Sequence, residues 1–426
     1  MQQQSQPAVQ LAHAGSASTT GPLVVVTMLF FMWGLLTSLN DVLIPHLKAL
    51  YELTYVQAMC VQFCFFGAYL MVSLPAGMLI RLIGYQRGAV VGLSIAATGC
   101  ALFYPAATSG YSAFLLAFFV LAAGITILQV AANPYVTVLG DAATASSRLT
   151  LTQAFNALGT TIAPALGGLL ILGTGNARTE EISQLPQAGH TSYNFAQASA
   201  VQGPYLYLAG SLMALAVLLA MAHLPKIQMQ TTKSADGLSL FAHRNLVLGA
   251  LGIFMYVGGE VSIGSFLINF LGDRNVAALT PAAAATYVSY YWGGAMLGRF
   301  IGFAVMRKVS PGKAVALNAA CAIMLIGVAI LSHGHVAMWS LLAVGLCNSI
   351  MFPTIFSIAL HNLGNHTGKA SGVLCMCIVG GAIIPFAQGF LADGIGIQAS
   401  FLVPAACYAY VLFFGIRYAD IYDRQR

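Results

Sequence analysis

Two carboxylates stand where carboxylates are costly. Asp41, in FMWGLLTSLNDVLIP (31–45), and Glu260, in YVGGEVSIGS (256–265), each fall in a run long and apolar enough to cross a bilayer. A charged side chain near the membrane centre costs on the order of 3 kcal/mol on insertion scales. Such a residue therefore either lies close to an interface or works in a polar cavity. Asp41 is within two helical turns of Pro45 and Lys48, whereas Glu260 is sixteen residues from Arg244 and thirteen from Asp273. A carboxyl group in a midplane cavity can take up and release a proton as that cavity opens to each side. Asp41 is the expected proton carrier. Glu260 can share that role, accept hydrogen bonds from a substrate, or hold Na⁺.

Uncharged polar side chains gather near these acids. Gln129 and Asn133 are four apart and Gln153 and Asn156 three apart, so each pair shares a helix face. Asn40 adjoins Asp41, Asn269 follows Glu260 by nine residues, and Asn348 lies in a third apolar run. Amides in spans either tie helices together or face a polar cavity, where they offer donors and acceptors in fixed geometry. Sugar hydroxyls are complementary to that second role, and sugar C–H faces stack on aromatics. Trp33, Tyr256, Tyr287, Tyr290, Tyr291 and Trp292 can supply such faces, and two or three of them are expected to do so, Trp292 among them. Arg299 is the one basic residue deep in a span, and it is expected to snorkel to an interface or close a gate. No Walker A loop, zinc-ligand spacing or nucleophile elbow occurs, which argues against an ATP-driven pump and a membrane hydrolase.

The elements that must hold these residues are membrane helices. Apolar residues make up 59% of the 426 and charged ones 7%, far below the roughly 25% charged of a soluble domain. The net charge of +6 therefore marks a membrane face and carries no implication of nucleic acid. The eight cysteines fall in or beside apolar runs and read as small buried residues. With about 20 apolar residues per span, the sequence predicts twelve: 22–47, 54–80, 88–108, 111–140, 148–173, 203–223, 244–272, 280–306, 312–332, 335–362, 369–393 and 398–420. Residues 1–21 read as a disordered tail lacking the basic region of a signal peptide. Spans 22–223 form one half, 224–243 a cytoplasmic linker, and 244–426 a second half. With both termini inside, thirteen Lys and Arg lie on the cytoplasmic side and three (Lys48, Arg178, Arg274) opposite, as the positive-inside rule requires.

The halves repeat. Arg148, Gly159, Pro164 and Gly168 match Lys369, Gly380, Pro385 and Gly389 at a displacement of 221. Gln129 and Pro134 match Asn348 and Pro353 at 219, and the same step from Asp41 lands on Glu260. Parallel repeats of six helices put a substrate site at the midplane between them. The fold class is thus an all-α membrane protein of twelve helices in two pseudo-symmetric halves.

The stretches WGLLTSLNDVLIPHLK (33–48), LPAGMLIRLIGYQRG (74–88), LQVAANPYVTVLG (128–140), RLTLTQAFNALGTTIAP (148–164) and FPTIFSIALHNLG (352–364) resemble the fucose/galactose/glucose:proton symporters of the major facilitator superfamily. The resemblance implies the major facilitator fold, alternating access and a monosaccharide substrate. It assigns the coupling proton to Asp41 and sugar contacts to Gln153 and Asn156. LQVAANPY and the glutamate at 260 resemble the glucose/galactose branch. Two departures stand out. Gln129 occupies the position of a second carboxylate in the fucose branch, which argues against fucose, and Arg81 replaces the acid of the superfamily's gating motif near Gly77.

The expectation is an inner-membrane, multi-pass importer of a hexose by cation symport, with H⁺ or else Na⁺ as the coupling ion. No cofactor, metal or nucleic acid is expected, and the chain is expected to act as a monomer in lipid. Asn40, Gln129, Asn133, Gln153, Asn156, Glu260, Asn269, Trp292 and Asn348 are the candidate substrate contacts, Asp41 and Glu260 the coupling residues, and Arg81 and Arg299 the gates. N-acetylglucosamine or other monosaccharide uptake, sugar efflux, and a non-transporting sugar receptor are the alternatives.

Overall fold

In lipid every backbone N–H and C=O must be satisfied within the chain, which leaves helices or closed barrels. This sequence takes the helical solution. The computed structural model describes residues 20–50, 55–167, 202–222 and 242–421. Among them run α1 (Thr20–Leu50), α2 (Tyr55–Ile83), α3 (Tyr85–Ser109), α4 (Tyr111–Val138), α5 (Ala145–Gly167) and α6 (Gln202–Met221). The second set is α7 (Arg244–Gly272), α8 (Pro281–Val305), α9 (Pro311–Leu331), α10 (Gly334–Asn348, continued by Met351–Ala359), α11 (Thr367–Met376, continued by Gly380–Ile395) and α12 (Ile397–Ser400, continued by Leu402–Arg417). These are the twelve predicted spans. Of the predicted 1–21 tail, residues 1–19 lie outside the described residues while Thr20 and Gly21 already belong to α1, and most of the 224–243 linker also lies outside them.

Local sequence sets several helix ends. Thr280 and Ser310 each precede a proline at the first helical position, where the missing N–H costs nothing. The Thr280 hydroxyl also accepts from the Ala283 N–H. At the far end of α4, the Arg148 guanidinium reaches back from α5 and donates to the carbonyls of Val136 and Thr137, the latter at 2.9 Å. The last carbonyls of a helix have no intrahelical donor, and the dipole there favours a cation.

The packing carries the repeat seen in the sequence. Within the first half α1 lies on α5, α2 on α4, α3 on α4, and α3 on α6. Within the second, α7 lies on α11, α8 on α10, α9 on α10, and α9 on α12. The two most extensive contacts between the halves, α2 with α11 and α5 with α8, exchange with one another under the same pseudo-twofold. Large apolar side chains such as Leu82, Leu331 and Phe390 are exposed on the outside. A water-soluble protein rarely presents so much apolar surface; here it is the lipid-facing surface of a multi-pass membrane protein.

The halves meet most closely at the end that carries Arg81, Arg148, Arg307 and Lys369. There the Ser146 and Ser357 hydroxyls bond each other, and Ser147 Oγ donates to the Phe303 carbonyl at 2.8 Å. A Cβ at Gly372 would come within 2.6 Å of the Ser73 carbonyl, so only glycine permits that approach of α11 to α2. Small residues let membrane helices pack backbone to backbone.

Prolines inside α4 and α10 have a specific consequence. A proline cannot donate to the carbonyl four residues before it, so Pro134 releases Val130 O and Pro353 releases Ser349 O. Both carbonyls find other donors. Ser371 Oγ, from the opposite half, bonds Val130 O at 3.0 Å, and Arg299 Nε bonds Ser349 O at 3.3 Å. The α10 helix breaks at 349–350, just ahead of Pro353.

Candidate functional site

Helices of both halves line a cavity of about 200 Å³ between them. That holds on the order of ten waters or a small solute. The first half contributes Trp33 from α1, Tyr69 from α2, Gln129 from α4, and Gln153, Asn156 and Thr160 from α5. The second contributes Glu260 from α7, Trp292 and Arg299 from α8, and Phe352 from α10. Three amides on one side therefore face a carboxylate and a guanidinium on the other, with an indole from each half.

Close backbone packing fixes the amide wall. A Cβ on Gly34 would collide with the Asn156 carbonyl, so α1 and α5 touch at this level. Asn156 Nδ2 donates to the Phe30 carbonyl of α1 at 2.9 Å, which leaves its Oδ1 for the cavity. Gln129 Nε2 donates to the Tyr69 hydroxyl. Gln129 Oε1 and Gln153 Nε2 have no hydrogen-bond partner, although both residues are at least 96% buried. One unpaired acceptor and one unpaired donor thus line a cavity where a polar ligand can satisfy both.

On the facing wall, Glu260 Oε1 also lacks a partner. Arg299 acts on it electrostatically, but no ion pair within 4 Å joins the two, and the guanidinium instead reaches Ser349 O and, at 3.5 Å, the Gln153 carbonyl of the other half. The expectation that Arg299 snorkels to an interface is corrected. Its head group is held by the carbonyl that Pro353 releases and lines the cavity.

The structure separates the other predicted contacts. Gln129, Gln153, Asn156, Glu260 and Trp292 come together in the cavity wall. Asn348 does not. Its Nδ2 donates to Tyr291 OH at 2.7 Å, its Oδ1 accepts from Tyr408 OH at 2.6 Å, and its carbonyl accepts from Tyr256 OH at 3.0 Å. The amide is consumed in a buried tyrosine network behind Glu260, the interhelical role. Tyr291 OH also donates to the Glu260 backbone carbonyl at 3.3 Å, so this network braces the turn that carries the carboxylate. Asn269 is exposed and stands outside the cavity wall; nine residues at 3.6 per turn place it on the opposite face of α7 from Glu260. Asn133 is fully buried one turn beyond Gln129 and does not reach the cavity. Arg81 is exposed at the last turn of α2. The side chains of Asn40 and Asp41 lie outside the described residues.

Of the aromatics, Trp33 and Trp292 line the cavity, while Tyr287 and Tyr290 pack on Trp339. Tyr69 and Thr160 went unpredicted. Thr160 was legible, since positions 153, 156 and 160 lie on one helical face. Tyr69 was not, because it is one of 18 tyrosines and nothing local distinguishes it.

The comparisons agree with this architecture. The family model described as Major Facilitator Superfamily matches residues 24–383. A "Glucose/galactose transporter" of Brucella abortus is 56% identical over 397 residues, covering 92% of this chain and 93% of that protein. The "L-fucose-proton symporter" of Escherichia coli is 33% identical, covering 97% of each. The crystal structure of the transporter FucP in the outward conformation matches with a TM-score of 0.88 at 31% identity, covering 94% of this chain and 99% of that one. The chain belongs to the Major Facilitator Superfamily, within the family that holds these glucose/galactose transporters and the L-fucose–proton symporter.

Proposed function

We propose that this protein is a hexose symporter of the glucose/galactose type, in which the cavity between the halves binds the sugar and Asp41 carries a coupling proton. The observation that carries the reading is the cavity wall itself. Gln129 Oε1, Gln153 Nε2 and Glu260 Oε1 are buried polar atoms without partners, arranged around a space flanked by two indoles. Hydroxyls of a pyranose can donate to Glu260 and Gln129 and accept from Gln153, and its C–H faces suit Trp33 and Trp292. With Gln129 in the wall where the fucose branch carries an acid, Asp41 is the sole carboxylate the sequence puts in the first half's spans. Protonated Asp41 favours sugar binding; the halves then rock about the site, and sugar and proton leave on the other side. The membrane is the inner membrane, with both termini cytoplasmic, and the chain acts as a monomer in lipid.

Counterflow of labelled glucose and galactose in proteoliposomes, with imposed pH or Na⁺ gradients, tests the reading. Asp41→Asn is expected to abolish accumulation against a gradient while retaining counterflow. Gln153→Ala and Asn156→Ala each remove about one hydrogen bond, or roughly 1 kcal/mol, and are expected to weaken sugar affinity about fivefold. Unaltered affinity in both variants refutes the site, and accumulation by Asp41→Asn at the wild-type level refutes the proton role. An absence of counterflow in the wild type would make the protein a receptor.

A further inference from the structure

One helical turn from the cavity toward the basic end, α4 and α5 continue their polar faces. Asn133 follows Gln129 by four residues and Thr150 precedes Gln153 by three, so each keeps the face of its cavity neighbour. Neither has room around it. Asn133, Thr150 and the nearby Ser73 of α2 are all 0% exposed. Asn133 Nδ2 and Oδ1, Thr150 Oγ1 and Ser73 Oγ all lack a hydrogen-bond partner.

Helices of the other half seal this region. Gly302 and Ile350 pack near Thr150, Gly372 abuts the Ser73 backbone, and Ser371 takes the Val130 carbonyl. Buried polar atoms are normally paired, and each one left unpaired costs about 1–3 kcal/mol. Leucine at 133 and valine at 150 would suit the sealed seam better. These side chains match a state in which the seam is open.

We propose that Asn133, Thr150 and Ser73, with the Val130 carbonyl that Pro134 releases, form a second monosaccharide-binding station that exists only when the seam at the basic end opens. An amide presents two donors and an acceptor to a vicinal diol, hydroxyls do either, and the released carbonyl accepts. A sugar leaving Gln129 and Gln153 meets the same chemistry one turn on, and the station binds it from that side. The inference rests on the sugar-transport reading above.

Exchange entry of labelled D-glucose and D-galactose by the full-length protein, with the sugar saturating in the lumen and varied in the bath, in right-side-out and in inside-out membrane vesicles, tests it. Asn133→Leu and the near-isosteric Thr150→Val are each expected to raise the half-saturation concentration at the cytoplasmic face about three- to tenfold, the loss of one or two hydrogen bonds. Half-saturation at the outer face is expected to stay within twofold of wild type, and the thermal midpoint to rise, because unpaired groups have left the sealed seam. Equal shifts at both faces, or none at either, overturn the station while leaving the transport reading intact. Exchange of neither sugar by the wild type overturns the transport reading, and the station with it.

Discussion

Replacing Ser371 by alanine tests whether the released Val130 carbonyl holds the seam shut. In the sealed state that carbonyl has no helical donor, because residue 134 is proline, and its partner is Ser371 Oγ at 3.0 Å across the interface. Ser371 is itself 0% exposed, so no water stands ready to replace it. Leaving a buried carbonyl unpaired costs about 1–3 kcal/mol. Once the halves separate, the carbonyl faces a wet cavity and the penalty disappears. At about 1.4 kcal/mol per tenfold, Ser371→Ala is expected to shift the equilibrium toward the open seam by about 5- to 150-fold. Cys375 offers a native reporter. It lies one helical turn from Ser371 on the same face of α11 and is fully buried in this state. Its alkylation by a membrane-impermeant maleimide, presented to inside-out vesicles and read by peptide mass spectrometry, is expected to accelerate in the variant by that factor. Pro134→Ala supplies the control, since it restores an N–H at 134 that can bond Val130 O within α4. In that background Ser371→Ala is expected to have little further effect. An unchanged Cys375 rate in Ser371→Ala, or the same acceleration with and without Pro134, refutes the reasoning.

Two further predictions concern stability. Asn348→Ala leaves the hydroxyls of Tyr291 and Tyr408 without their amide partner, at about 1–3 kcal/mol each, so the thermal midpoint in detergent is expected to fall by several degrees; a wild-type midpoint refutes the bracing role. His361 lies in the turn after α10, outside the membrane-spanning segments, and burial lowers its pKa below the ordinary range. The unfolded chain therefore binds this proton first, so its contribution to stability is whole above about pH 6.5 and declines as pH falls toward the folded pKa. Thermal midpoints at pH 7.5 and 5.5 should differ less in His361→Gln than in wild type, and an identical difference excludes the residue as a source of acid sensitivity.

The amino-acid sequence by itself determined the twelve spans, because a bilayer admits few ways to satisfy a backbone and each helix of this chain registers as its own apolar run. It also determined the pairing of halves, since the displacements linking Gln129 to Asn348 and Pro134 to Pro353 are carried by residue identity. The cavity wall was partly legible for the same reason: Gln153 and Asn156 share a face by spacing alone. Spacing could not say which amides meet substrate. Gln129 and Asn348 are repeat mates with opposite fates, one left with an open acceptor on the cavity and the other enclosed by three tyrosines. That difference lies in what the neighbouring helices bring to each site, Tyr69 in one half and Tyr291 and Tyr408 in the other, and only packing decides it. The same holds for Arg299. A lone arginine eight residues from Arg307 reads as a snorkelling side chain, until tertiary structure presents it with a carbonyl that Pro353 has released.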